Sequence, residues 1–194
     1  MIPANLVKEL REKTGASMME CKKALEETGG DEIKAIEALR KRGTQIAAKK
    51  SERVIKAGLI EAYIHSNKRV GVLLELGCET DFVARNEAFQ NLAHDIAMHI
   101  AAMNPRYLNA EDLEPEFVAK EKQIYLEQYK DSGKPANVIE QIIEGKIQKL
   151  GQEVCLLEQA FIKEPDKKIK DLIQEAVAKI GENIKIGRFT RYEI

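Results

Sequence analysis

Three histidines and three cysteines are the side chains of this 194-residue sequence best suited to hold a metal or attack a carbonyl, and their spacing supports neither. His94 and His99 are five apart, which on a helix separates them by about 140°, so one zinc ion cannot take both as it can an H-x-x-x-H pair. The pattern predicts a histidine on the rim of an apolar stripe at His99 and a solvated one at His94. Cys21, Cys78 and Cys155 are an odd number without C-x-x-C spacing, which suggests neither a disulfide framework nor a thiolate zinc site. Cys21 and Cys155 fall on apolar positions and read as small core residues in a reducing compartment. Phosphate-binding loops are missing too: neither G-x-x-x-x-G-K-[ST] nor G-x-G-x-x-G occurs, and Gly29-Gly30 separates two helices instead of following a strand. With no nucleophile, acid–base pair, metal cluster or phosphate loop, the chain reads as a binding protein and not an enzyme, with no cofactor and no metal of its own.

The stretch that stands apart from routine packing is Glu79-Thr80-Asp81-Phe82-Val83-Ala84-Arg85-Asn86, between the end of a strand and the start of a helix. Elementary rules give it a structural role: Thr80 or Asp81 caps the helix, Phe82 staples it to the core, and Arg85 is solvated.

The elements around that junction follow from periodicity and punctuation. Residues 59–65 and 70–76 are β-branched runs in which Ile60, Ala62 and Ile64 alternate, as do Val70, Val72, Leu74 and Leu76, so they form a hairpin turning at Ser66-Asn67-Lys68-Arg69. From about Asn86, residues Phe89, Leu92, Ala93, Ile96, Ala97, Ile100 and Met103 make one helical stripe. Residues 115–130 and 136–150 are charge-laced helical patterns joined by Asp131-Ser132-Gly133-Lys134-Pro135. Their stripes are narrow: Phe117, Ile124 and Gln128 on one, Ile139, Ile142, Ile143, Ile147 and Leu150 on the other, which predicts a projecting helical hairpin, a coiled coil. A helix over 169–180 and an alternating strand over 184–194 complete an antiparallel sheet with helices on one side, an α+β arrangement.

The first part is different in kind. Thr14-Gly15 stops one helix, Ser17 and Glu20 form a capping box for a second, and Asp31 caps a third with an apolar face of Ile33, Ile36 and Leu39 that ends before Gly43. A basic linker with some helical character follows at 44–56. We place the boundary there: a three-helix domain with linker at 1–55, and a core at 56–194 carrying the helical hairpin as an insertion at about 111–151. Residues 1–56 hold 13 Lys and Arg against 9 Asp and Glu, a formal +4, which leaves −5 for the remainder.

The whole chain carries 31 basic and 32 acidic side chains, a net −1 that argues against direct binding of nucleic acid and favours a protein partner. The N-terminus enters an amphipathic segment without the apolar core of a signal peptide, and no run of eighteen apolar residues occurs. A soluble, cytoplasmic protein that touches no membrane is the expectation.

Two long segments carry a resemblance. Glu75-Leu76-Gly77-Cys78-Glu79-Thr80-Asp81-Phe82-Val83-Ala84-Arg85 resembles the hallmark motif of elongation factor Ts, the exchange factor of the bacterial translation GTPase EF-Tu. Leu10-Arg11-Glu12-Lys13-Thr14-Gly15-Ala16-Ser17-Met18-Met19-Glu20-Cys21-Lys22-Lys23-Ala24-Leu25 is similar to that family's N-terminal signature, and the Ser132-Gly133-Lys134-Pro135 tip to its protruding coiled coil. The resemblance implies a ubiquitin-associated-like (UBA-like) N-terminal domain, a dimerisation-type α+β core, and release of GDP from EF-Tu, bound first in its GDP form and then nucleotide-free. It implies that Thr80, Asp81, Phe82 and Val83 push in near the GTPase's Mg²⁺ site, with Phe82 as the wedge. Arg11, Met18 and Met19 match the family's N-terminal contact surface, and His65, Ile180 and Gly181 resemble positions that touch a helix of the GTPase domain. Long members carry two copies of the hairpin-bearing core; this chain has one, so it resembles a short form that pairs as a homodimer. Two rivals from the residues alone are an adaptor built on the three-helix module and a metal-dependent hydrolase built from His65, Asp81 and His99.

Overall fold

The computed structural model describes residues 2–130 and 132–194. Met1 and Asp131, the first residue of the anticipated helix–helix connection, lie outside the described residues.

Helices α1 (Ala4–Thr14), α2 (Met18–Glu27) and α3 (Glu32–Lys50) begin and end where local chemistry satisfies their free backbone groups. Gly15 takes a left-handed conformation and donates its N–H to the Arg11 carbonyl at 2.7 Å. The Ser17 hydroxyl accepts from the Glu20 N–H while the Glu20 carboxylate accepts from Ser17, a complete capping box. Asp31 Oδ1 accepts from the Lys34 N–H at 3.1 Å. Val7, Leu10, Cys21, Ala24, Leu25 and Ala35 close into a small core between the three helices.

Helix α3 does not stop before Gly43. It runs on to Lys50, so most of the expected linker is helix. Gly43 is a packing position and not a terminus: a Cβ there would lie 3.7 Å from the Ala178 methyl, and the next residue bonds Thr44 Oγ1 to Gln174 Oε1 at 2.9 Å. Packing against a second helix outweighs the roughly 1 kcal/mol that glycine costs within a helix.

Strand β1 (Ala57–Ile64) pairs antiparallel with β2 (Val70–Cys78), Ala57 opposite Cys78 and Ile64 opposite Gly71. After the one-turn α4 (Asp81–Ala84), helix α5 (Glu87–Met103) lays the anticipated stripe on the sheet, with Phe89, Ala93, Ile96, Ala97 and Ile100 fully buried. Helices α6 (Pro115–Tyr129) and α7 (Ala136–Val154) form the hairpin; β3 (Ala160–Phe161) and β4 (Glu164–Lys168) pair in a small ladder that periodicity did not announce. Helix α8 (Ile169–Ile180) packs on α3, and β5 (Lys185–Glu193) completes a sheet of order β1-β2-β5. The fold is α+β, as expected. Val70, Val72, Leu74 and Leu76 of β2 face α5 in the main core, which Ile169 and Val177 of α8 also enter, and Ala47 of α3 packs against that same core.

Several side-chain expectations are corrected. Ile33, read as part of the α3 apolar face, is 73% exposed, and Met103, read as the end of the α5 stripe, is 45% exposed. The α6 seam is Phe117, Val118, Glu121, Tyr125 and Tyr129, half-buried, whereas Ile124 and Gln128 are exposed. His99 is fully buried and not on a rim: its Nε2 faces Gln159 Oε1 at 2.9 Å, and its Nδ1 accepts from the Ile162 N–H at 3.4 Å. Gln159 Nε2 donates to the Glu153 carbonyl at 2.6 Å, so its oxygen is left to accept from an Nε2–H imidazole. His94 is the exposed histidine foreseen, paired with Glu61 at 2.9 Å.

Candidate functional site

Beyond Cys78 the chain leaves the sheet, because β2 loses its β1 partner at the Ala57–Cys78 pair. The amides of Glu79 and Thr80 therefore have no ladder acceptor. Both donate to Glu182 Oε2, at 3.1 and 3.0 Å, and Thr80 Oγ1 donates to Glu182 Oε1 at 2.7 Å. Thr80 is also the N-cap of α4, its hydroxyl accepting from the Val83 N–H at 3.5 Å. Beneath it the buried Cys78 thiol donates to the Thr80 carbonyl at 3.1 Å; burial, more than the nearby Glu182 charge, pushes that thiol's pKa up and keeps it a neutral donor.

The one-turn helix divides its side chains sharply. Val83 and Ala84 pack on the main core. Phe82 points the other way and is 81% exposed, so it does not staple the helix to the core. An exposed aromatic of that size on a well-held turn is costly to leave in water, and among the described residues little covers it. Asp81 and Arg85 form an exposed i,i+4 ion pair at 3.2 Å.

The other sequence-derived residues fall into three places. Ile180 ends α8, half-buried against the main core, and Gly181 takes a left-handed cap at φ 92° whose carbonyl accepts from Lys50 Nζ at 2.5 Å. Because Glu182 follows directly, the fold brings Ile180-Gly181 and Thr80–Val83 side by side. His65 lies at the opposite end of β1, roughly 25 Å along the strand, where its Nδ1 meets the Tyr63 hydroxyl at 3.0 Å. His65, Asp81 and the buried His99 are thus not brought together, which removes the hydrolase rival. Arg11, Met18 and Met19 sit on the three-helix unit, with Met18 41% and Met19 75% exposed.

Glu182 and Asn183 are the residues that sequence reasoning missed. Their only signal was adjacency to Gly181, and their partners lie about a hundred positions away. A cleft of about 600 Å³ between the three-helix unit and α8 is elsewhere, and much of its charge is internally paired, Lys167 with Glu164 and Glu175, Arg40 with Glu175.

A family model described as Elongation factor TS matches residues 4–194. The chain belongs to the elongation factor Ts family. It is similar to proteins named Elongation factor Ts from Thermosipho melanesiensis, 60% identical over 194 residues and covering 100% of this chain and 99% of that one, and from Thermodesulfovibrio yellowstonii, 61% identical over 193 residues, covering 100% and 96%. A third, from Fervidobacterium nodosum, is 58% identical over 193 residues, covering 100% and 98%. Elongation factor Ts membership makes the chain a translation elongation factor, a component of protein biosynthesis. No helix among the described residues is long and apolar enough to cross a membrane.

Proposed function

We propose that this chain is a guanine-nucleotide exchange factor for EF-Tu, and that it loosens GDP by pressing Thr80, Asp81, Phe82 and Val83 into the GTPase beside its Mg²⁺ site. The observation that carries this reading is the outward Phe82, 81% exposed on a turn whose other apolar side chains are anchored. Mg²⁺ demands near-ideal octahedral oxygen geometry, so displacing the groups around the partner's ion weakens its bridge to the phosphates. No bond is made or broken, so the chain acts without catalytic residues or a cofactor of its own. Linkage closes the cycle: a protein that weakens the hold on GDP is itself bound less tightly once nucleotide returns, and by the same factor.

Secondary contacts complete the reading. Met18, Met19 and Arg11 offer one surface to EF-Tu, Ile180-Gly181 a second beside the wedge, and His65 a third at the far end of the hairpin. Binding is to the GDP-bound and nucleotide-free GTPase, in the cytoplasm, without nucleic acid or membrane. The working units are a UBA-like domain at 1–55 and a core at 56–194 with its hairpin at about 111–151.

The face of the sheet away from α5 supports pairing of two chains. Ile60, Ile64, Leu73 and Tyr192 are 70%, 64%, 48% and 71% exposed there, with Ile64 opposite Gly71 and Gly71 opposite Tyr192 across the strands. A contiguous apolar patch of this kind marks an interaction surface, and a homodimer would cover it twice over.

Release of a fluorescent GDP analogue from purified EF-Tu tests the proposal. The native chain should speed release and an Asp81→Ala, Phe82→Ala double variant should not. No acceleration by the native chain sinks the exchange reading.

A further inference from the structure

We infer that Glu182 is the positioning residue of the Thr80–Val83 segment, its carboxylate presenting the wedge while Asn183 ties the same loop to the chain leaving α3. This deepens the exchange reading and rests on it.

Four hydrogen bonds join the 79–80 junction to the loop after α8: Glu79 N and Thr80 N to Glu182 Oε2, Thr80 Oγ1 to Glu182 Oε1, and Asn183 N to Glu79 Oε1 at 2.6 Å. Three of them end on one carboxylate, and charge-assisted bonds of this kind are about twice as strong as neutral ones. A four-residue helix has no stability of its own, since helix nucleation is unfavourable and one turn cannot recover it. What holds α4 is therefore its Thr80 cap below and the packing of Val83 and Ala84 beside it. Glu182 sets the direction of the cap, because the hydroxyl that accepts from Val83 N is the one that donates to Glu182.

The loop is in turn fixed from the other side. Asn183, 3% exposed, donates its side-chain amide to the carbonyls of Ser51 at 3.3 Å and Arg53 at 2.8 Å. Lys50 reaches the Gly181 carbonyl, and Arg53 meets Glu79 at 3.5 Å. The segment between α8 and β5 thus links the end of α3, which also builds the three-helix unit, to the turn that carries Phe82.

The test titrates EF-Tu carrying a fluorescent GDP analogue with the native chain, Glu182→Ala, Glu182→Gln, Phe82→Ala and the Glu182→Ala, Phe82→Ala pair. Glu182→Ala, which removes all three half-exposed bonds to this carboxylate, should lower the saturating release rate about tenfold or more and change the half-saturating concentration less than about threefold. Glu182→Gln should recover part of the rate, because its amide oxygen still accepts both backbone N–H groups. In the Phe82→Ala background, adding Glu182→Ala should cost less than about twofold, since the ring that Glu182 chiefly serves to aim is already gone. A full further loss in that background, or an unchanged saturating rate, overturns the inference.

Amide hydrogen exchange of the chain alone supplies an independent reading. Glu79 and Thr80 amides should exchange about tenfold faster in Glu182→Ala, with β2 and α5 amides unchanged. Unchanged protection overturns the clamp whatever the release assay gives. Expected amide exchange together with a native chain that releases no GDP overturns the exchange reading and leaves the clamp standing.

Discussion

Replacing Phe82 by Ala separates a partner-facing residue from a core residue more cleanly than any other change at this site. An aromatic side chain carries about 150–250 Å² of surface, so the 81% of Phe82 left in water amounts to roughly 150 Å² available to a partner. At about 25 cal/mol per Å² its burial contributes roughly 3–4 kcal/mol, and the methyl of Ala keeps about a third. The expected loss is then about 2–3 kcal/mol, or roughly 30- to 150-fold. Where it falls depends on when the contact forms. A contact made only as the Mg²⁺ site is disturbed lowers the saturating rate of GDP release, whereas one already made in the initial complex raises the half-saturating concentration. The wedge reading places most of it in the rate. In the free chain the same change should shift stability by less than about 0.5 kcal/mol, because the ring stands 81% exposed. Stopped-flow release of the fluorescent analogue and a urea unfolding curve measure the two quantities. Release within twofold of native, or a loss of stability above about 2 kcal/mol, would refute the reasoning.

Charge on the open sheet face should abolish pairing: the native chain should scatter light as a dimer at micromolar concentration, an Ile60→Asp, Leu73→Asp variant as a monomer with unchanged circular dichroism, and a native monomer would reject the paired form. Burial holds the His99 pKa below its ordinary 6.5, against the raising effect of the Gln159 hydrogen bond, so the folded chain keeps this imidazole neutral. The unfolded chain takes the proton first as pH falls, so this contribution is complete above about 6.5 and is lost as pH drops toward the folded value. A His99→Gln variant should show a shallower fall of urea midpoint with acid, and an identical slope would disprove it. At Gly58 an added Cβ would lie 2.4 Å from the Leu76 carbonyl oxygen and 2.9 Å from Gly77 Cα, both backbone. Gly58→Ala should therefore cost about 1–3 kcal/mol in the same unfolding measurement, and a neutral result would show that the β1–β2 hairpin yields there.

Signals confined to a few consecutive residues were legible. The Ser17–Glu20 capping box, the Gly15 stop, the alternation of β2 and the α5 stripe each depend on neighbours within one turn or one strand, so the order of residues alone specifies them. Thr80 as a cap belongs with them. Features that depend on which faces meet were not legible. Gly43 reads as a stop until α8 is laid against it, and the α6 seam turns toward Tyr125 and Tyr129 only because α7 approaches from that side. The β3–β4 ladder has too few residues, one of them Pro165, to show a period. His99 is buried because Gln159 and Ile162 come back over α5 to satisfy both ring nitrogens.

The same division runs through the site. The sequence by itself determined the helices, the hairpin, the absence of any phosphate loop and the Thr80–Val83 junction, because local hydrogen bonding and hydrophobic period are written within a few positions. Only the tertiary structure decided that Val83 turns inward, that Phe82 turns out, and that a carboxylate a hundred residues away holds the turn between them. Those outcomes depend on desolvation and hydrogen-bond geometry between elements distant in the chain, and no local pattern carries that information.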